Sequence, residues 1–199
     1  MKSNVYKIGK SSKNLEAILR ESERMAKYNN FTHKQALQLR LLCEEVDGML
    51  PNIIDHFEGN LWIDYENGVC KVNVSIDIPE LNISKKEELI CIAKNKKNAA
   101  VVGIVGRIRN AIENFFLAEE NMNTFVFSTE MVNDGTGYYA GGDYYYIWSL
   151  DQYRGNLKNG EHAEAWDELE KSVIASVADD VTVGVKGNHA EIVITKKFK

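Results

Sequence analysis

Apolar residues recur every three to four positions through the N-terminal part of the chain, a spacing that places them on one side of an α-helix. Residues 12–29 carry Leu15, Ile18, Leu19 and Met25 in this pattern, and Asn29-Asn30 ends it. Thr32 stands three residues before Gln35, a capping-box spacing that predicts a second helix start. From about His33, the series Leu39, Cys43, Val46, Leu50, Ile53 and Phe57 predicts one long buried stripe. Pro51 falls inside it. Proline has no backbone N–H and its ring clashes with the carbonyl four residues back, so a kink or restart is expected near residues 48–51.

The period then changes to two. Leu61–Tyr65 and Val69–Ile78 predict strands joined at Asn67-Gly68, a hairpin-turn dipeptide, with Pro79 as the stop. Helices are expected over residues 85–94 and 98–116, the second with an apolar, glycine-bearing start that requires close packing of another element. Residues 118–160 are the least regular part. They hold a β-prone run at 124–128, the glycine-rich stretch Asp134–Asp143 and the aromatic run Tyr144–Ser149. No Gly-Lys-Ser/Thr follows those glycines, so a loop is the expectation there rather than a phosphate cradle. A helix over residues 166–178 and a hairpin of Val181–Val185 with Ala190–Thr195 close the pattern. There is no internal repeat. The whole predicts one domain over residues 1–199 with an irregular insertion at about 118–160. Its class is α/β in the α+β sense: a two-layer sandwich with a mixed, mostly antiparallel sheet and helices on one face.

Composition narrows the function classes. Apolar residues make up 44% of the chain, enough for an ordinary core, and the net charge of −5 disfavours a nucleic-acid surface. Cys43, Cys70 and Cys91 lie far apart without a C-x-x-C pair, the pattern of free thiols in a reducing compartment. The four histidines are scattered, so no metal cluster is expected. No apolar run has the length of a signal sequence or membrane span, and a cytoplasmic protein without a membrane or nucleic-acid partner is expected.

Two segments carry a family resemblance. Leu39-Arg-Leu-Leu-Cys-Glu-Glu-Val46 resembles the glutamate-bearing helix of the GHKL superfamily. Leu169–Val183 with Ala190–Phe198 resembles that family's final helix and closing strands. The superfamily, whose nucleotide-binding domain is the Bergerat fold, includes histidine kinases, gyrase, heat-shock chaperones and bacterial anti-sigma-factor serine kinases, the last being nearest in size. The resemblance implies a histidine-kinase-ATPase-like sheet and an ATP or ADP ligand. In the family a helix glutamate acts as general base, an asparagine four residues later holds Mg²⁺, an aspartate in a D-x-G-x-G turn binds adenine, and a glycine-rich lid covers the phosphates.

Carried over by position, Glu45 matches the base and Asp77 the adenine aspartate. For the phosphate-facing lid there are two candidate counterparts: the helix start with Lys97, Asn98, Gly103 and Gly106, and the stretch before Trp166, which carries only Gly160. The chain also departs from the pattern. Met49 stands where the asparagine belongs, and a thioether is no ligand for a hard cation. Asn52 lies roughly 10 Å along the helix from Glu45 and would replace that ligand only through a kink at Pro51. Pro79 and Leu81 replace the glycines after Asp77. The resemblance therefore implies a nucleotide-binding regulatory protein with degenerate catalytic motifs and without the standard Mg²⁺ site. The alternative is an inactive pseudo-ATPase that binds a regulatory protein partner, with segment 134–150 as its contact surface. Other readings stay open for single residues: a solvated helix flank for Glu44-Glu45, a surface helix start for Lys97 and Asn98, and a strand-end turn for Asp77.

Overall fold

The computed structural model describes residues 1–9, 14–54, 57–78, 103–120, 136–141, 144–158 and 163–198. Its elements run β1 (Tyr6–Gly9), α1 (Leu15–Tyr28), α2 (His33–Ile53), β2 (Glu58–Glu66), β3 (Val69–Asp77), α3 (Gly103–Glu120), β4 (Thr136–Gly141), β5 (Tyr144–Ser149), α4 (Leu150–Lys158), α5 (Ala163–Lys171), α6 (Val173–Val177), β6 (Asp180–Lys186) and β7 (His189–Lys197). The strands form one seven-stranded sheet in the order β1-β2-β3-β7-β6-β5-β4. Every described pairing is antiparallel, so no mixed sheet is seen among them.

The early elements follow the sequence pattern closely. Thr32 caps α2 through a full box: the Gln35 N–H donates to Thr32 Oγ1, and the Thr32 N–H donates to Gln35 Oε1 at 2.8 Å. The stripe Leu39, Cys43, Val46, Leu50 and Ile53 is buried. Pro51 does not restart the helix, which runs on to Ile53. Asn67 and Gly68 both take positive φ, 51° and 79°, as a two-residue hairpin turn requires. At Gly59 the constraint is space: a Cβ there would meet the Ser75 carbonyl oxygen at 2.4 Å.

Later elements differ from expectation. Residues 136–141 and 144–158 are not irregular: they supply β4, β5 and α4, which complete one edge of the sheet. The predicted helix over 166–178 is two helices, because Ser172 leaves helical geometry (φ −81°, ψ 120°) and its Oγ accepts from the Ala175 N–H at 3.3 Å to cap α6. Strand β1 was not foreseen; only Ile8 of its four residues is buried, which leaves little periodic signal. The expected helix at 85–94 and the β-prone run at 124–128 lie outside the described residues.

Alternation along the strands sorts the two faces of the sheet. Leu61, Ile63, Val72, Val74, Ile76, Ile192 and Ile194 join buried residues of all six helices in one apolar cluster. The opposite positions are mostly polar, with Trp62, Val69 and Val193 among them. There Asn73 is buried, and Asp64 Oδ2 accepts from Asn73 Nδ2 at 3.0 Å and from Trp62 Nε1 at 2.9 Å. This is an α+β domain, and among the described residues no helix is long and apolar enough to cross a membrane.

Candidate functional site

A cleft of about 770 Å³ opens where three segments distant in sequence meet. Helix α2 contributes Glu45, Gly48, Met49 and Asn52. Their spacing of three and four residues makes them one continuous helix face. The start of α3 contributes Gly103, Ile104 and Val105, and the α5–α6 corner contributes Asp167, Lys171, Ser172, Val173 and Ile174. The break at Ser172 matters here. An unbroken helix would carry Val173 and Ile174 straight on past Lys171, whereas the corner lets both sides of it line the cleft.

The walls are of two kinds. Ile104, Ile174 and Met49 are buried and make an apolar floor. The rim is polar and charged: Glu45 is half-buried, and Lys171 Nζ pairs with Asp167 Oδ2 at 2.5 Å on an exposed turn. Gly103 opens α3 at φ 75°, left-handed backbone that favours glycine. The N-terminus of an 18-residue helix therefore faces the cleft, and its partial positive charge favours anions.

Met49 is buried on the cleft wall four residues after Glu45, and its thioether is no ligand for a hard cation. Asn52 does reach the cleft, although α2 has no restart, and its Nδ2 donates to the Gly48 carbonyl at 3.1 Å. Among the described residues no three His, Cys, Asp or Glu side chains are grouped to hold a metal ion.

Glu45 and Gly103 thus come together, and Gly106 lies in the first turn of the same helix α3. Lys97, Asn98 and Gly160 lie outside the described residues. Asp77 is elsewhere. It ends β3 on the polar face of the sheet, where its Oδ1 lies 2.7 Å from His189 Nδ1. Lys171, Asp167 and Ser172 escaped the sequence reading. The available signal was Ser172, a good N-cap residue immediately before Val173-Ile174.

The proposed contact surface changes as well. Ile147, Trp148 and Leu150 are core residues, so the end of segment 134–150 is not a displayed aromatic patch. Trp148 stacks at a tilt on Tyr153 with centroids 6.1 Å apart, and the Arg107 guanidinium lies 5.3 Å from the Tyr153 ring. Cys43 and Cys70 are free and buried, and burial pushes both thiols up, Cys70 to about 12. They are inert packing groups, not nucleophiles. No family model, curated protein or solved structure matches this chain.

Proposed function

We propose that the cleft binds a nucleotide, ATP or ADP, and that the protein is a GHKL-type regulator with degenerate catalytic motifs. The observation that carries this is the convergence of Glu45, the Gly103 helix start and Lys171 on one cleft of about 770 Å³, within the size range of small-ligand sites. Phosphates suit the α3 N-terminus and the Lys171 ammonium; a base or ribose suits the Met49, Ile104 and Ile174 floor. Glu45 holds the position of a general base. With Met49 beside it, no Mg²⁺-dependent step is assigned to the site.

The test is thermal denaturation with ATP and with ADP, each with and without Mg²⁺. A native-state ligand at 100 times its dissociation constant adds about 2.7 kcal/mol and raises the melting temperature by a few degrees. Gly48 is exposed and lines the cleft, and a Cβ there meets nothing within 4 Å, so Gly48→Trp is the variant chosen to obstruct the cleft, with its own melting curve as the check on folding. The shift is expected in wild type, independent of Mg²⁺, and absent in Gly48→Trp. An unmoved wild-type curve at saturating nucleotide overturns the proposal. Met49 favours a second reading, a nucleotide-free interaction module of the same fold, and the unmoved curve would leave that one standing.

A further inference from the structure

The polar face of the sheet carries a second constellation, independent of the cleft. Residues two apart on a strand point the same way, so Ser75 and Asp77 share the outer face of β3. The register of β3 with β7 sets His189 directly opposite Asp77. The imidazole spans the two β3 side chains: Nδ1 lies 2.7 Å from Asp77 Oδ1, and Nε2 lies 2.6 Å from Ser75 Oγ. A carboxylate only accepts, so the proton of the neutral ring sits on Nδ1. Nε2 is then the acceptor, and the Ser75 hydroxyl donates to it. A nucleophile, a base that receives its proton and a carboxylate that fixes the base's tautomer are thus in line. His189 keeps 31% of its side-chain exposure and Asp77 78%, so the group opens to solvent. Glu191, opposite Ser75, and Lys186, opposite His189, are the flanking charges in the sheet register.

We propose that Ser75 is an acyl-accepting nucleophile with His189 as its base and Asp77 as a positioning residue. The substrates that fit are activated esters, whose acidic leaving group departs with little proton assistance. Ser75 Oγ adds to the ester carbonyl carbon as its proton passes to His189 Nε2. The carbon–oxygen bond to the leaving group breaks and the leaving group departs with the bonding pair; it takes the proton from Nε2, or it leaves as an anion, takes its proton from solvent, and Nε2 returns its own proton to solvent. Water then attacks the Ser75 ester and gives a proton to Nε2. The acid is released, Ser75 regains its proton, and the net reaction is ester plus water to acid plus alcohol.

The experiment uses 4-nitrophenyl acetate, with nitrophenolate release followed by absorbance and the acetylated peptide located by mass spectrometry. A fluorophosphonate serves as a second, irreversible probe of the wild-type chain. Expected are a burst of nitrophenolate and label on Ser75. Ser75→Ala should abolish the labelled peptide, and His189→Gln should slow acylation by roughly 10²-fold or more, the usual range for a general base. Asp77→Asn should slow it and distort the pH profile, and Asp77→Glu should restore part of the rate. Unlabelled Ser75 in wild type with both probes, or equal labelling in a folded His189→Gln variant, overturns the proposal and leaves the three residues as a cross-strand clasp. The wild-type label decides even if a variant does not fold.

Discussion

At the scale of single residues, placement decides what a side chain can do. Cys43 and Cys70 are chemically similar to reactive thiols, yet burial holds both in the protonated form. Asp47 shows the same effect on a carboxyl: burial on α2 raises it above the ordinary carboxylate range. The sign follows from linkage. Between the unfolded and the raised folded value the native state binds more proton, so Asp47 weakens the fold once both forms are ionised and costs nothing in acid. Asp47→Asn should therefore raise the urea midpoint at neutral pH, with the gain vanishing below the ordinary carboxylate range. Equal gains at both pH values would show that charge is not the cause. Glu45, two residues earlier on the same helix, was singled out through the resemblance of its segment to the GHKL glutamate helix, and the structure sets it on the cleft wall with Met49 and Asn52. Asp77 was legible as a polar strand end, but strand phase puts it on the sheet's other face, away from the cleft.

At the scale of elements, caps and breaks define the helices. Thr32 and Gln35 close the start of α2 with two reciprocal hydrogen bonds, a local arrangement that four residues of sequence suffice to predict. Thr32→Ala should cost about 1 kcal/mol in chemical denaturation, and Thr32→Ser much less. A loss near zero would mean that tertiary packing alone holds the helix start. Ser172 does the same for α6, but there the helical period runs on through the residue, and the competing break was not legible. The corner exists because α5 and α6 each bury their own apolar residues, Leu169 and then Ile174 with Ala175. That corner brings Lys171 to the cleft. The Tyr144–Ser149 run does not announce a strand in the sequence, since the alternation is lost among consecutive aromatic residues. Its partners β4 and β6 supply the ladder that makes it β5.

At the scale of the molecule, contacts between distant segments close the fold. Arg154 on α4 donates through Nη1 to the Asp179 carbonyl at 3.0 Å and through Nη2 to the carbonyls of Ala175 and Ala178. A guanidinium at the C-terminal end of α6 satisfies carbonyls that the helix leaves without partners, and it ties α4 to the entry of β6. Arg154→Ala should destabilise by about 2 kcal/mol, the range for hydrogen bonds to a charged group. Arg154→Lys should recover only part of this, because a single ammonium lacks the fork that reaches several acceptors. Full recovery by lysine, read from urea midpoints, would reduce the role to charge alone. Phe198 closes the other side, edge-on to Phe31 with centroids 4.8 Å apart, while Phe31 meets Tyr65 in the same way.

The sequence alone determined α1, α2, the β2–β3 hairpin and the β6–β7 hairpin, because each rests on spacing, caps or a turn dipeptide contained within a few residues. It also placed Glu45 on a helix face with the ligand-poor Met49 one turn away. Only the tertiary structure decided which face of the sheet Asp77 occupies, where Lys171 and the start of α3 meet Glu45, and that His189 lies between Ser75 and Asp77. Those facts depend on strand phase and on register between segments as many as 114 residues apart, and no local pattern records either.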